Sequence, residues 1–375
     1  MTKRALIVYY GNFPENRGIL QLVDNLRKME INVDVACRDS DTSNDDLSLT
    51  VITKRQSVGY AKRSWLFFLL SVFRNSKYDI VFYREIPLFL HLLAFKFLFR
   101  FTLIGDIREN LSGMYMSGHK TNIRRKLIAK FVWPFVTLLA RLFSDVMCFS
   151  SGNLAGYLVG YPKRNKNVLV TPNYPTGTYY TKAENELSLG ETGKINIIFS
   201  GHIKQNRGVD NLYNAMQQVD PKLRSRFKIF IVGDGEDRER VEALFDKVDG
   251  VDVTFTGMVH PDEVIRIASS CDIGFMGYSI TANSSLTYPG KLFEYFACGL
   301  HTLSTERKSV QGLDIPENMV TYYKDVNELA ALLVGFATSE NMPWNKHDIN
   351  SYARRNYSQE SNIGKLREAL HGIYN

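Results

Sequence analysis

The chain is predicted to be α/β, with two doubly wound parallel sheets in two Rossmann-like domains. Three observations predict it. Short apolar runs alternate with longer amphipathic stretches, the alternation stops at a polar stretch and then restarts, and 375 residues exceed what one core comfortably holds. Strand-helix alternation implies a parallel sheet covered on both faces, with functional loops at the carboxyl ends of the strands.

In the first half the strand-like runs are RALIVYY (4–10), INVDVAC (31–37), YDIVFY (78–83), FTLIGDI (101–107), DVMCFS (145–150) and NVLVTP (167–172). In the second they are KINIIFSG (194–201), RFKIFIVGDG (226–235), VDVTFTG (251–257), CDIGFMG (271–277) and LHTLST (300–305). Helices are expected near 207–218, 236–248, 261–269, 290–298 and 325–338. The polar stretch TGTYYTKAENELSLGETGK carries no clear element, which sets a boundary near residues 178–192 and domains over 1–178 and 190–345. The last segment, 346–375, reads as a helix able to cross the domain seam. Two such domains leave a cleft between facing strand ends, a natural place for a two-substrate reaction.

Composition narrows the class. The 45% hydrophobic and 12% aromatic content is that of a folded protein. Cys37, Cys148, Cys271 and Cys298 are scattered without a CxxC pair, which argues against zinc and against a disulfide framework and favours a reduced cytoplasmic compartment. The N-terminus MTKRALIVYYG is too brief an apolar run for a signal peptide. WLFFLLSVF (65–73) and FVWPFVTLLA (131–140) fall short of the roughly 18 residues of a membrane span. Charge is unevenly divided. Residues 1–178 hold 25 Lys/Arg against 13 Asp/Glu, a net of +12, and the rest hold 21 against 26, a net of −5. The first half therefore faces something anionic. Its basic residues are interleaved with aliphatic and aromatic runs in 60–74, 89–100 and 119–143, which suits an anionic membrane surface as well as the buried face of helices. Nucleic acid is not expected, because no module motif for it stands in the chain.

Three glycine-bearing loops carry the chemistry. FSGHIKQNRGVDNLYNAM (199–216) ends a strand at Ser200 and Gly201 and opens a helix at Arg207 and Gly208. Free amides and the macrodipole there favour phosphate, which Arg207 would clamp, with His202 and Lys204 on the same loop. The plain alternative is a tight turn with a solvated arginine. IVGDGED (231–237), with Gly233, is a second such strand end and by itself an ordinary turn. TYPGKLFEYFACGL (287–300) is the third: a diphosphate could lie on the amides of Thr287, Gly290 and Lys291, with Glu294 accepting from ribose hydroxyls. Leu292, Phe293, Phe296 and Ala297 make an apolar stripe around Glu294, so the carboxylate needs a partner. The alternative partner is a cap or a neighbouring helix.

Taken in order, these loops, VTFTGMVHPDEVIRIASSCDIGFMGY and PGKLFEYFACGLHTLST resemble the donor-binding domain of glycosyltransferase family 4, retaining sugar transferases of the GT-B fold. DIRENL, DVMCFSSGNLAGYL and VLVTPNY are more loosely similar to that family's acceptor domain. The resemblance implies that Arg207 is the diphosphate cation and Glu294 the ribose carboxylate, within a PxKLFEY subgroup. Two positions depart from the family. Leu286 stands where the first glutamate of the paired-carboxylate motif is expected, and His202 where an arginine is usual.

In the first half, GNFPENRGIL (11–20) follows the first strand, where the resembled family has a glycine-rich loop reaching into the cleft. Only Gly11 and Gly18 remain, Arg17 is an addition, and the alternative is a strand-helix loop with an N-terminal cap. Asp106, Arg108 and Glu109 follow a strand where the family carries polar groups beside the reacting sugar. Asp106 or Glu109 would orient the acceptor hydroxyl or take its proton, with Arg207 stabilising the leaving diphosphate. A structural salt-bridge cluster is the competing reading, and His119 reads as exposed. No DxD-like metal motif stands in an obvious loop, so neither a metal nor a cofactor is expected, as the resemblance also implies. The expected activity is transfer of a hexose or N-acetylhexosamine from a nucleotide sugar to a lipid-linked glycan acceptor in bacterial lipopolysaccharide or capsule synthesis. The enzyme would act in the cytoplasm or peripherally on the inner membrane face. The rivals are a nucleotide-sugar epimerase of the same fold and a catalytically silent subunit that binds nucleotide sugar or membrane.

Overall fold

Runs of four to six consecutive buried residues build the centre of each sheet: Ile80–Tyr83, Thr102–Ile107 and Ile195–Ser200 are buried at every position. Such strands are covered on both faces, as parallel sheets require, and each fully buried large apolar side chain stabilises the fold by about 2 kcal/mol. The strand Asp252–Gly257, with alternating exposed and half-buried positions, lies at an edge.

The computed structural model describes residues 2–13, 17–40, 50–53, 65–117, 122–161, 167–186, 193–279, 285–306, 309–310 and 313–374. The chain divides into two units, Met1–Asn173 with Asn362–Asn375, and Tyr174–Ser361. In the first, strands β1 (Arg4–Val8), β3 (Asn32–Cys37), β5 (Thr50–Thr53), β6 (Ile80–Tyr83), β7 (Thr102–Ile107), β8 (Val146–Phe149) and β9 (Val168–Val170) form one parallel sheet in the order β5-β3-β1-β6-β7-β8-β9. Two short strands, β2 (Asn12–Phe13) and β4 (Asp39–Ser40), pair separately. In the second unit β10 (Ile195–Ser200), β11 (Phe227–Val232), β12 (Asp252–Gly257), β13 (Ile273–Met276), β14 (His301–Thr305) and β15 (Val320–Tyr323) run parallel in the order β12-β11-β10-β13-β14-β15.

Each sheet grows outward from its first strand, then jumps back and grows the other way. The reversals fall between β1 and β6, in register Ala5 to Ile80, and between β10 and β13, in register Ile197 to Ile273. A crevice opens at such a switch point because the flanking loops leave in opposite directions, and ligands of open α/β sheets bind there.

The expected strands form, somewhat shorter than the apolar runs that announced them. β5, β15 and the β2–β4 pair were not anticipated. Nor was the helix Gly177–Glu186, which occupies part of the polar stretch. It buries only Tyr180 and Ala183, one helical turn apart, against its neighbours. The final segment is two helices, Lys346–Asn356 and Gln359–Tyr374, the first ending at Tyr357. From the second, Leu366 and Leu370 join the core around β1 and β3 in the first unit.

Candidate functional site

In the second unit the helix Gly290–Ala297 is pinned by buried Leu292, Phe293, Tyr295, Phe296 and Ala297, and starts from Pro289 in extended geometry. Tyr295, which the apolar stripe did not single out, is the strut. Its buried hydroxyl accepts the Ser200 amide at 3.0 Å and lies 3.3 Å from Ser200 Oγ, tying the helix to the end of β10. At the other end buried Asn350 donates to the Ala297 carbonyl at 2.6 Å, occupying one of the orphan acceptors of the last turn. A helix fixed at both ends holds its first turn steady beside the strand ends.

The loops after β10, β11 and β13 are packed backbone against backbone. Gly208 has φ +83°, and a Cβ there would fall 1.8 Å from the Gly277 carbonyl oxygen, so only glycine lets the turn before the helix Val209–Gln218 lie against the end of β13. Gly233 has φ +129°, with a Cβ position 2.1 Å from the oxygen of Gly201. These contacts bring Gly201, His202, Lys204, Arg207 and Gly233 around the β10–β13 switch point.

The cations there differ in what they meet. Lys204 Nζ and His202 Nε2 both contact Glu236, at 2.7 and 2.5 Å, and the hydrogen bond from Lys204 leads the pull that brings the Glu236 carboxyl down to about 2. Glu236 therefore competes with any phosphate for two of the proposed donor ligands. The letters IVGDGED contain it, but its role depends on a contact across 34 residues of sequence. Lys291 pairs with Glu294 at 2.8 Å within one helical turn, and the Glu294 side chain is only 13% exposed. So a lysine of the same helix, which was expected to be solvated, is a partner of that carboxylate. Arg207 is exposed, its guanidinium 5.1 Å from the Tyr278 ring centroid, and no carboxylate among the described residues pairs with it. Thr287 and Gly290 are half-buried on the approach to the helix, and a Cβ at Gly290 would meet open space.

The first unit carries a second cluster at its own switch point. Asp106, at the end of β7, is buried and held between Arg84 Nη1 and Arg108 Nη2, each at 2.6 Å. Burial alone would raise its carboxyl, but the two guanidiniums outweigh this and hold it below the usual carboxylate range. Arg108 also donates to the Thr171 carbonyl and to Asn173 Oδ1. The geometry of Asp106 is that of the salt-bridge cluster and not of a proton acceptor open to a substrate, because both its oxygens face arginines. Glu109, three residues on, is exposed. Gly18 borders the same cluster: a Cβ there would fall 2.4 Å from Arg84 Nη2. It therefore lies in the first unit, whereas the other donor-site candidates lie in the second.

Glu85, which the sequence reading passed over, lies between the ends of β1 and β6. Its Oε2 accepts the Tyr10 amide at 3.2 Å, and burial pushes its carboxyl up to about 7. The available signal was a carboxylate two residues after the strand YDIVFY and two residues ahead of Pro87. The side chain of Arg17 and all of His119 lie outside the described residues. Among the described residues no group of three His, Cys, Asp or Glu is placed to hold a metal ion, and no helix is long and apolar enough to cross a membrane.

Two doubly wound parallel sheets, each with polar strand ends at its switch point, define a GT-B-type α/β protein. Residues 194–338, within the second unit, match the family described as glycosyl transferases group 1. An uncharacterized glycosyltransferase of Methanocaldococcus jannaschii is 31% identical over 80 residues, which span 21% of this chain and 20% of that protein. Among solved structures, HepE of Anabaena in complex with UDP superposes with a TM-score of 0.73 at 15% identity, covering 98% of this chain and all of that one. Sucrose-phosphate synthase of Thermosynechococcus elongatus gives 0.70 at 16% identity over 100% and 99% of the two chains. WaaG, a glycosyltransferase involved in lipopolysaccharide biosynthesis, gives 0.63 at 14% identity over 96% and 98%. At such identities the likeness is one of fold.

Proposed function

We infer that the protein is a retaining glycosyltransferase of family 4 that moves a hexose or N-acetylhexosamine from a nucleotide sugar to a lipid-linked glycan. The setting is assembly of bacterial lipopolysaccharide or capsule at the cytoplasmic side of the membrane. The observation that carries the donor reading is Arg207: an exposed guanidinium seated on Tyr278 at the β10–β13 switch point, with no carboxylate partner among the described residues. Such a group receives a diphosphate in bidentate fashion, at little reorganisation cost because the ring beneath already orients it. UDP bound in HepE makes UDP-sugars the first donors to try.

On this reading Thr287, Gly290 and Lys291 offer amides to the diphosphate. Glu294 exchanges its contact with Lys291 for ribose hydroxyls, which frees the Lys291 ammonium for phosphate. As the anomeric bond breaks, negative charge grows on the leaving diphosphate. Arg207, Lys291 and the helix dipole stabilise that charge more than they stabilise the ground state. No step calls for a metal or cofactor. In the first unit, Asp106 serves as a positioning residue that fixes Arg84 and Arg108, and exposed Glu109 is the carboxylate available to an acceptor hydroxyl.

The contact between His202 and Glu236 favours one rival, a silent nucleotide-sugar-binding subunit, since it occupies a position where the resembled family offers phosphate a free cation. Incubation with a panel of nucleotide sugars separates the readings. Release of nucleoside diphosphate supports transfer, interconversion of the sugar without release supports an epimerase, and binding without turnover of any donor supports the silent subunit.

A further inference from the structure

The first unit exposes an apolar stripe that its own core does not use. Ile123–Leu127, a π-helical segment Ile128–Val132 and Trp133–Phe143 run on as one rod. Along it Ile123, Leu127, Phe131, Phe135, Leu138 and Leu142 are each between 47% and 76% exposed. All but one of the steps, Phe135 to Leu138, are of four residues, and each of those overruns an α-helical turn by about 40°, which would wind the stripe around the rod. The wider π turn in the middle takes back part of that drift and keeps the apolar residues on one side. The helix Ile86–Phe99 packs against Trp133–Phe143 and ends in exposed Phe97, Leu98 and Phe99, with the Phe97 and Phe143 rings 6.4 Å apart, so the apolar surface continues across two elements. A surface of this kind is larger than scattered exposed side chains require.

Its charge is of one sign. Arg100, Arg124, Arg125 and Lys130 are exposed beside it, and the sequence from Leu111 to Phe143 contains no Asp or Glu. Nor does Ile86–Phe101. A second copy of the chain docking on this face would bring those cations against themselves. A peptide or protein groove would have to supply carboxylates at every edge of a broad apolar face. A layer of anionic phosphate headgroups over acyl chains supplies both, with phosphates for the cations and hydrocarbon for the phenylalanines.

We propose that this face, the rod Ile123–Phe143 with the end of Ile86–Phe99, is a docking surface for an anionic lipid bilayer. It lies in the interface and does not span it. The proposal gives the lipid-linked acceptor reading its physical route, and its biological sense rests on that reading, but its test does not use catalysis.

The test is co-sedimentation of the full chain with phosphatidylcholine vesicles and with vesicles that also carry phosphatidylglycerol. The intact protein should pellet with the anionic vesicles, less so as salt rises, and stay in solution with the neutral ones. The triple change Arg124→Glu, Arg125→Glu and Lys130→Glu should weaken anionic binding at least about ten-fold, since each cation near such a surface contributes a several-fold factor. Phe131→Ser with Phe135→Ser should weaken it comparably, and should do so at high salt too. Both variants change exposed side chains, and unchanged UDP affinity and circular dichroism would show that they fold. No binding by the intact protein, or binding by both variants as tight as that of the intact protein, overturns the proposal. So does a lipid-free dimer that Phe131→Ser with Phe135→Ser abolishes, which would assign the face to a second copy. Vesicle binding with no turnover of any donor would sink the transferase reading and leave this one standing.

Discussion

Glu85 and Asp106 are two carboxylates at neighbouring strand ends with opposite electrostatics, and each difference has a measurable consequence. The Glu85 carboxyl rises from 4.5 to about 7 because burial disfavours its charge more than the Tyr10 amide and Arg84 favour it. The folded state therefore holds this proton more tightly than the unfolded chain. The group's stability contribution is full below about 4.5 and is lost as pH climbs through about 7. Glu85→Gln should remove that loss, gaining up to about 3 kcal/mol over the natural protein at pH 8 and almost nothing at about pH 4 in urea unfolding. An equal gap at both pH values would refute the assignment. Asp106→Asn should destabilise by about 3 to 5 kcal/mol, since it leaves two guanidiniums, Arg84 and Arg108, without their shared counter-charge. Glu109→Gln should leave the unfolding midpoint within about 0.5 kcal/mol and lower turnover instead, as expected of an exposed group that acts on the acceptor.

The elements show what patterning can and cannot disclose. Central strands were legible because burial on both faces writes itself as an unbroken apolar run, as in Ile195–Ser200. β15 was not, because only the first and last of its letters VTYY are buried and it sits at the sheet edge. The helix Gly177–Glu186 was hidden for a related reason: only Tyr180 and Ala183 mark its buried side, and its ties to Pro261–Ser270 and Lys346–Asn356 appear only once the chain is folded. At the site, glycines and the Glu294 helix could be read from local spacing. The partners Glu236, Tyr278, Arg84 and Tyr295 could not, because each acts across tens of residues of sequence. Two glycines bounding these elements should behave differently. Gly208→Ala should cost at least about 2 kcal/mol, since its Cβ meets the fixed carbonyl of Gly277 in a left-handed conformation. Gly290→Ala should be neutral or stabilising by about 0.5 to 1 kcal/mol, with a Cβ in open space at the first helical position, yet it should weaken UDP if the diphosphate lies on that amide. Thermal unfolding with and without UDP distinguishes the two effects.

At the scale of the whole molecule, charge and fold carry separate information. On the docking proposal, the +12 of residues 1–178 against −5 for the remainder marks the half that would meet an anionic surface, and the exposed stripe of the first unit marks where. The fold is kept against structures only 14–16% identical, because a doubly wound sheet asks for buried strands and glycine-bearing ends more than for particular residues. What is particular to this chain is the furnishing of the strand ends. The central claim is that the β10–β13 switch point is a donor site whose diphosphate is received by Arg207. Calorimetric titration of UDP into the natural protein and into Arg207→Ala tests it most directly. The account predicts binding that weakens about ten- to a hundred-fold in Arg207→Ala, as for the loss of a charge-assisted hydrogen-bonded pair. UDP affinity unchanged in Arg207→Ala would contradict it.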